Sequence, residues 1–450
     1  MGARIVSEST PNNRKSWGEA LAVYMTPRQL IILEMGFASG LPLLLTLTTL
    51  SYWLSTMNVD KTTIGLFLFV QTPYAYKFLW SPIMDRLSLP LLGALLGRRR
   101  SWLFVTQILL AASIFVMGQT DPIANGLMTA AAALAVAFFS ASQDIVIDAY
   151  RIELLSSEEQ GAGAGSTQVG YRLGMLLAGA GATAMSDHVS WSMVYSAMAF
   201  AMGVCAVITL FLPEPQVEIR KATKGYAEFI EKAVVEPFRD FLTRKGWVVI
   251  LAFILFYKFG EAFGGAMANP FYHEMKFSGT EIAVVSKVYG VIATLIGGVL
   301  GGVLVARIGL FRTLLLGGIL QALTILLMSA LAWRQSVGAE HDELLHWLMG
   351  AITAENVTAG IASAALVAYL SGLCNTAFTA TQYALFSSLM ANGRTIMSTG
   401  SGWLIDNLDN NWALFWALTV LMAIPGLVLL LWISRLYPDE RHLVPATSST

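Results

Sequence analysis

Ten ionisable side chains fall inside long apolar stretches of this 450-residue chain. A charge at the centre of a bilayer costs at least ~2.5–3.5 kcal/mol, so such residues mark a functional site or an ion pair by default. Five are acids and five are bases, so together they can bind an ionic solute, carry protons or neutralise one another. They are Glu34, Lys77, Asp144, Asp148, Arg172, Lys258, Glu261, Lys287, Glu355 and Arg394.

Depth separates these residues. Arg172, Lys258 and Glu355 each lie about eleven residues into their apolar stretch, or roughly 16 Å at the rise of a helix. Neither Arg172 nor Asp144 can reach water from its position without an internal cavity. We therefore expect them at a solute site, and a structural salt bridge is the alternative.

Simpler interpretations compete for the other charges. Lys258 and Glu261 are three residues apart and can neutralise each other on one helix face. Asp148 has Arg151 one turn away, which favours an ion pair that locks a gate over proton transfer. Lys77 can extend its ammonium to the headgroups instead of a cavity.

Composition indicates which elements must position these charges. The chain is 56% hydrophobic and 13% charged, against about 25% charged in soluble domains. Several apolar stretches reach the ~20 residues of a spanning helix, and the alternating pattern of a β-barrel is absent. The sequence predicts an all-α polytopic membrane protein with twelve spans, at about 27–55, 62–84, 101–120, 125–150, 161–186, 191–213, 247–272, 280–306, 311–333, 344–371, 376–404 and 412–435.

The charges avoid spans 3, 6, 9 and 12, as expected if those four are outer helices and the other eight surround a cavity. The predicted units are an N-terminal segment (1–26), a six-helix bundle (27–213), an amphipathic linker (214–246), a second six-helix bundle (247–435) and a tail (436–450). The linker helix is either a strut between the bundles or a plain surface helix.

Lysine and arginine predict the orientation. The segments on the side of the two termini hold 20 of them, and the opposite loops hold 3. The positive-inside rule therefore predicts that both termini are cytoplasmic. No signal peptide precedes the first span.

Two basic loops recur six spans apart. Asp85 and Arg86 precede the run GRRR at 97–100, and the second half carries GGVLVARIGLFR at 301–312. Both resemble a loop of the major facilitator superfamily, whose two similar bundles hold a solute site near the bilayer midplane. The resemblance implies a cytoplasmic gate, for which we expect Asp85, Arg86, Asp148, Arg151 and Arg307.

Seven segments resemble the AmpG muropeptide permease family, and they extend over nearly the whole chain. They are GFASGLP at 36–42, KFLWSP at 77–82, SASQDIV at 140–146, GAGA at 161–164, GYRLGM at 170–175, YKFGEAF at 257–263 and FTATQYAL at 378–385. One departure is Glu261, where the family pattern leads us to expect Asp. The resemblance implies a transporter of the bacterial inner membrane that imports anhydro-muropeptides (GlcNAc-anhydroMurNAc peptides) with protons, and whose products signal β-lactamase induction.

Residue chemistry assigns roles for such a solute. Arg172 and Lys258 would hold its carboxylates. Asp144, Glu355 or Glu261 would carry the proton, because burial favours a neutral carboxyl. Sugar rings would pack on Trp80, Tyr171 and Tyr257, and amides would bind hydroxyl and acetamido groups: Gln143, Asn356 and Gln382.

Other classes are disfavoured. No P-loop supports the use of ATP, no HExxH or GxSxG motif supports an enzyme, and a net charge of −1 gives no reason to expect nucleic acid. We expect no metal or cofactor beyond the coupling proton, the bilayer as surroundings, and a monomer. Two alternatives stay open: a transporter of another anionic solute (an acyl-CoA-like ester, a siderophore or a drug), or a non-transporting sensor.

Overall fold

A computed structural model describes residues 22–57, 59, 67–156, 158–215, 231, 235–282, 284–285, 289–398 and 400–437. These residues form helices and connecting loops, with no strand among them. Nine of the described helices are long and apolar enough to cross a membrane. Lys287 and most of the predicted linker helix lie outside the described residues.

Twelve helical segments correspond to the twelve predicted spans. We number them in chain order: span 1 Pro27–Thr56; span 2 Phe67–Gln71, Thr72–Tyr76, Lys77–Leu79 and Ser81–Arg86; span 3 Arg98–Gly118; span 4 Gly126–Leu154; span 5 Gln160–Leu176, Leu177–Gly181 and Ala182–Ser186; span 6 Trp191–Thr209; span 7 Trp247–Phe256, Phe259–Ala266 and Ala268–Glu274; span 8 Gly279–Ile282 and Gly290–Ile308; span 9 Leu310–Ser336; span 10 His341–Leu373; span 11 Thr379–Ser398 and Gly400–Asn407; span 12 Trp412–Leu421 and Ile424–Leu436. Shorter helices are Val23–Met25, Leu92–Leu96 and Glu236–Leu242.

Spans 2, 5 and 11 are not among the nine described helices that are long and apolar enough to cross a membrane. Span 2 is divided into short α and 3-10 turns, and span 5 contains a π-helical turn at Leu177–Gly181. Span 11 has little apolar character because Thr, Ser, Gln and Asn occur along it. Irregular and polar helices are tolerated at membrane depth only where protein or water covers them. The irregular and polar parts of these three spans therefore need protein or water beside them.

Each half of the chain has its own apolar core. One cluster contains residues of spans 1 to 6 alone, and another contains residues of spans 7 to 12 alone. Three further clusters cross between the halves: Ile152 of span 4 packs among second-half residues, Ala380 and Ala384 of span 11 pack among first-half residues, and Ala164 of span 5 packs with residues of span 10. Ile152, Ala380 and Ala384 lie towards the face where span 1 begins and span 12 ends, which we call the terminal face.

Spans 1 and 5 pack together through glycines. A methyl group at Gly36 or Gly40 would overlap the backbone of span 5, and one at Gly170 or Gly174 would overlap the backbone of span 1. Small residues let helices approach closely in a membrane, where lipid leaves little hydrophobic force between them. The glycines thus hold span 5, and with it Arg172, at a fixed distance from span 1.

The end of the predicted linker forms a described helix, Glu236–Leu242, on the terminal face. Its Asp240 accepts hydrogen bonds from Gln382 (2.8 Å) and Asn375 (3.0 Å) of the second half. Burial alone would raise the pKa of Asp240, but these bonds and the ion pair with Arg244 hold it below its usual value. Glu236 reaches the first half through Arg86, at 3.3 Å. The helix therefore contacts both halves.

We expect Gly170→Ala to destabilise the protein by about 1–3 kcal/mol, because the added methyl group overlaps the carbonyl of Leu33 in span 1. Gly203→Ala is the matched control, since nothing lies within 4 Å of the added group. Thermal unfolding of the purified protein in detergent measures both. Equal melting temperatures for the two variants would contradict the packing described here.

Candidate functional site

The carboxylate of Asp85 joins the two halves at the terminal face, where it is only 2% exposed. It accepts hydrogen bonds from the backbone N–H and the hydroxyl of Thr381, both at 2.9 Å, and pairs with Arg99 at 2.7 Å. Span 11 begins at Thr379, so its first N–H groups lack partners within the helix and carry partial positive charge. Asp85 of the first half therefore caps a helix of the second half.

Arg99 and Glu153 complete this contact. Nη2 of Arg99 lies 2.5 Å from Glu153 and 3.1 Å from the hydroxyl of Thr379, which itself donates to Glu153 at 2.5 Å. We call Asp85, Arg99, Glu153, Thr379 and Thr381 the terminal gate. The sequence prediction missed Arg99 and Glu153, because an arginine run and an acid at a helix end both resemble ordinary surface charge.

A second contact between the halves uses two residues predicted for the gate. Arg151 donates to the hydroxyl of Ser371 in span 10 at 3.1 Å and stacks 5.2 Å from the ring centre of Tyr383. Asp148 lies 3.5 Å from Arg151 and 3.9 Å from Lys77. Lys77 is 7% exposed, so its charge is paired inside the protein and does not extend to the headgroups.

The other two predicted gate residues lie on the same face. Arg86 pairs with Glu236 of the linker helix and stacks on Phe378, 5.1 Å from the ring centre. Arg307 occupies the last turn of span 8. All five gate residues predicted from the sequence are therefore on the terminal face, and the structure gives partners for Asp85, Arg86, Asp148 and Arg151.

Arg172 lies in the middle of span 5. Among the described residues, its buried Nε atom has no hydrogen-bond partner, and its Nη1 atom lies 4.0 Å from the sulfur of Met175. No carboxylate among the described residues lies within 4 Å of the guanidinium. Glu261 of span 7, in the other half, interacts with it electrostatically from farther away. A guanidinium in this position is suited to binding an anion.

The two candidate proton carriers have different surroundings. Asp144 of span 4 accepts a hydrogen bond from the hydroxyl of Ser39 in span 1 at 2.5 Å. The carboxylate of Glu355 in span 10 has no hydrogen-bond or ion-pair partner in the described part of the chain. Its carboxylate interacts electrostatically with Lys258 and Glu261.

Lys258 and Glu261 form the ion pair that their spacing permits. Gln321 of span 9 donates to Glu261 at 2.5 Å, and the ammonium of Lys258 also lies 3.3 Å from the carbonyl of Ala359. Lys258 lies at a break between the helices of span 7, which directs it towards spans 9 and 10. Each charge is thus neutralised by the other, which weakens both as separate binding groups.

The three predicted amides are engaged within the protein. Gln143 donates to the carbonyl of Ala38 at 2.9 Å, and Asn356 accepts from Thr294 at 2.8 Å. Gln382 lies at the terminal face, where it bonds to the linker helix and is 1% exposed. The structure therefore separates Gln382 from the mid-span charges.

The three predicted aromatic residues also differ in position. Tyr257 is 6% exposed within the core of the second half and donates to the carbonyl of Leu314 at 2.8 Å. Trp80 donates to the hydroxyl of Ser142 at 3.0 Å. Tyr171 is half-buried and interacts electrostatically with Asp144 and the neighbouring Arg172. Tyr171 is therefore the ring that lies among the charged groups.

One intramembrane acid lies away from the seam between the halves. Both carboxylate oxygens of Glu34 are buried without a hydrogen-bond partner. The residue interacts with Cys205 of span 6, inside the first half. Arg394 of span 11, in contrast, is exposed and interacts electrostatically with Arg172 across the seam. The mid-span charges that the structure brings together are Arg172, Lys258, Glu261, Glu355 and Arg394.

Comparison with known proteins agrees with this arrangement. The family model described as Major Facilitator Superfamily matches residues 32–260 and 254–449. The proton:xylose symporter XylE superposes with a TM-score of 0.65 at 12% identity, over 93% of this chain and 96% of that one. The chain therefore belongs to the Major Facilitator Superfamily and is a membrane transporter, not an enzyme.

Curated relatives identify the family within this superfamily. The Anhydromuropeptide permease of Escherichia coli (strain K12) is 42% identical over 413 residues, or 91% of this chain and 80% of the relative. A transporter of Rickettsia felis that carries the name AmpG 4 is 33% identical over 90% of this chain and 96% of the relative. The chain is a member of this AmpG family of permeases.

We expect Asp85→Asn to open the terminal face, because it removes the charge that pairs with Arg99 and caps span 11. Breaking one partner of a buried pair costs about 3–5 kcal/mol. Cys374 is 3% exposed at the end of span 10 and reports the opening in a Cys205→Ser background. We predict that a maleimide labels Cys374 at least several-fold faster in the variant.

Asp121→Asn is the control for this labelling. Asp121 lies in the loop between spans 3 and 4, where its side chain accepts from two backbone N–H groups, and asparagine can do the same. Its labelling rate should equal that of the parent protein. A rate unchanged by Asp85→Asn would show that the terminal gate does not hold this face closed.

Proposed function

We propose that this chain imports anhydro-muropeptides from the periplasm to the cytoplasm across the bacterial inner membrane, in symport with protons. The observation that carries the proposal is the guanidinium of Arg172, held at mid-span with no carboxylate among the described residues within 4 Å. A muropeptide supplies carboxylates, and the relative from Escherichia coli that is 42% identical is an anhydromuropeptide permease. The solute would serve peptidoglycan recycling and the signal for β-lactamase induction.

The distribution of Lys and Arg supports the direction. Because basic loops concentrate on the terminal face, that face would be cytoplasmic. The terminal gate and the Arg151–Ser371 contact join the halves there. In this conformation the route to the cytoplasm is therefore closed, and a solute would enter from the periplasm.

Import of an anionic solute against the membrane potential requires a coupling ion. Moving one negative charge inward against the membrane potential costs ~2.3 kcal/mol per 100 mV. Co-transported protons offset this cost, and the chain needs carboxyl groups that bind and release them. Glu355 and Asp144 remain the candidates, whereas Glu261 is committed to Lys258 and Gln321. Glu355 is the stronger candidate because, among the described residues, its carboxylate accepts no side-chain hydrogen bond and forms no ion pair, and the nearby Lys258 is already paired with Glu261.

Uptake by proteoliposomes tests the proposal. Purified protein should accumulate labelled GlcNAc-anhydroMurNAc-tripeptide when the outside is more acidic than the lumen, and accumulation should stop when a protonophore collapses the gradient. Excess acyl-CoA, ferric siderophore or drug should not compete. Displacement of the label by one of these instead would favour the alternative of another anionic solute.

Glu355→Gln should abolish accumulation driven by the proton gradient but keep solute exchange, because glutamine retains the shape and cannot release a proton. Asp144→Asn should have the same effect if Asp144 takes part. Glu340→Gln is the control, since Glu340 is exposed just before the same helix. If Glu355→Gln accumulates solute as the parent does, Glu355 is not a coupling group.

A further inference from the structure

Arg172 and Arg394 are intramembrane arginines that come from opposite halves of the chain. Arg172 belongs to span 5 and Arg394 to span 11. In the described part of the chain, no carboxylate lies within ion-pair distance of either guanidinium. Arg394 is exposed although its position along span 11 is well inside the membrane segment. Two unpaired guanidiniums at this depth are costly, so each needs an anion or water beside it.

The two arginines act on the same space. Arg172 interacts electrostatically with Arg394 and with Glu261, and Glu261 interacts with Arg394. Glu261 does not neutralise the arginines, because it already pairs with Lys258 and accepts from Gln321. The remaining acid, Glu355, interacts with Lys258 and Glu261. The cations here are Arg172, Arg394 and Lys258, and the acids are Glu261 and Glu355. This part of the seam therefore has an excess of positive charge.

Like charges held on opposite sides of a seam repel, and an anion between them reverses the sign of the interaction. Arginine suits this role because its planar fork can bind a carboxylate with two parallel hydrogen bonds. Glycine packing against span 1 fixes span 5, so Arg172 is positioned by the fold. Span 11 contacts the first half through spans 2 and 4, which keeps Arg394 close to the seam.

We propose that Arg172 and Arg394 form one anion site, in which a carboxylate of the solute is bound between a guanidinium from each half. The inference rests on the proposed function and makes it more specific. The site binds solutes that carry a free carboxylate, and it binds neutral analogues of the same shape more weakly. Arg394 is thereby a second binding residue, a role that its sequence context did not predict.

A comparison of acid and amide solutes tests the site. The probes are labelled GlcNAc-anhydroMurNAc-tripeptide and the same molecule with its carboxylates amidated, and both binding in detergent and uptake in proteoliposomes are measured. A hydrogen-bonded charge contact supports about a 10- to 100-fold difference in affinity. The parent protein should therefore bind the acid at least about 10-fold more tightly than the amide.

Arg394→Gln should raise the Kd and KM for the acid about 10- to 100-fold and leave those for the amide unchanged. Arg394→Lys should give a Kd and KM for the acid between those of the parent protein and of Arg394→Gln, because lysine keeps the charge but cannot form two parallel hydrogen bonds. Arg435→Gln, an exposed arginine at the end of span 12, should behave as the parent protein. A merely structural role would weaken acid and amide equally.

The outcomes separate the two proposals. If the parent protein binds and transports the acid but Arg394→Gln changes nothing, or weakens both probes alike, the two-arginine site is wrong and the proposed function stands. If the parent protein neither binds nor transports the acid, the proposed function is wrong and the inference fails with it. An acid-specific loss supports both.

Discussion

The cost of placing a charge at membrane depth is the constraint on which this structure depends. A guanidinium or carboxylate in hydrocarbon must find a partner or water. In this chain four of the ten intramembrane charges form ion pairs among the described residues. Lys77 pairs with Asp148, and Lys258 pairs with Glu261. Of the described charges without an ion pair, Arg172, Arg394 and Glu355 carry the functional argument.

The same constraint separates the seam into two levels. At the terminal face the charges are satisfied across the halves, as where Asp85 bonds to Arg99 and to the start of span 11. At mid-span the charges are only partly satisfied. A transporter that alternates between two open states needs this difference. Its gate is stabilised by contacts that can break as a set, whereas its binding site is completed by the solute.

The fold and the position of the gate were largely predictable from the sequence. Twelve spans, two halves and the terminal position of the gate follow from apolar length, from charge placement and from repeated loops. The Lys258–Glu261 pair is one of two interpretations that the three-residue spacing leaves open, and the spacing alone does not decide between them. A buried charge costs less free energy when the same helix provides its partner three residues away. The structure shows this arrangement, and Gln321 also donates to Glu261.

Other features depend on tertiary contacts that no local pattern contains. Arg99 and Glu153 are 54 residues apart and meet only because spans 3 and 4 pack side by side. Gln382 bonds to the linker helix, because it lies in the first turn of span 11 at the terminal face. Tyr257 looked like a surface for a sugar ring, yet its hydroxyl bonds to span 9 within the core.

The central claim is that an anionic solute binds at mid-span between the halves, next to Arg172. Cryo-electron microscopy of the protein with bound GlcNAc-anhydroMurNAc-tripeptide tests it most directly. The account predicts solute density in contact with Arg172 and bordered by spans 5, 7, 10 and 11, with the terminal gate closed. Solute density on the outer surface of one half, or Arg172 facing lipid chains with no solute beside it, would contradict the account.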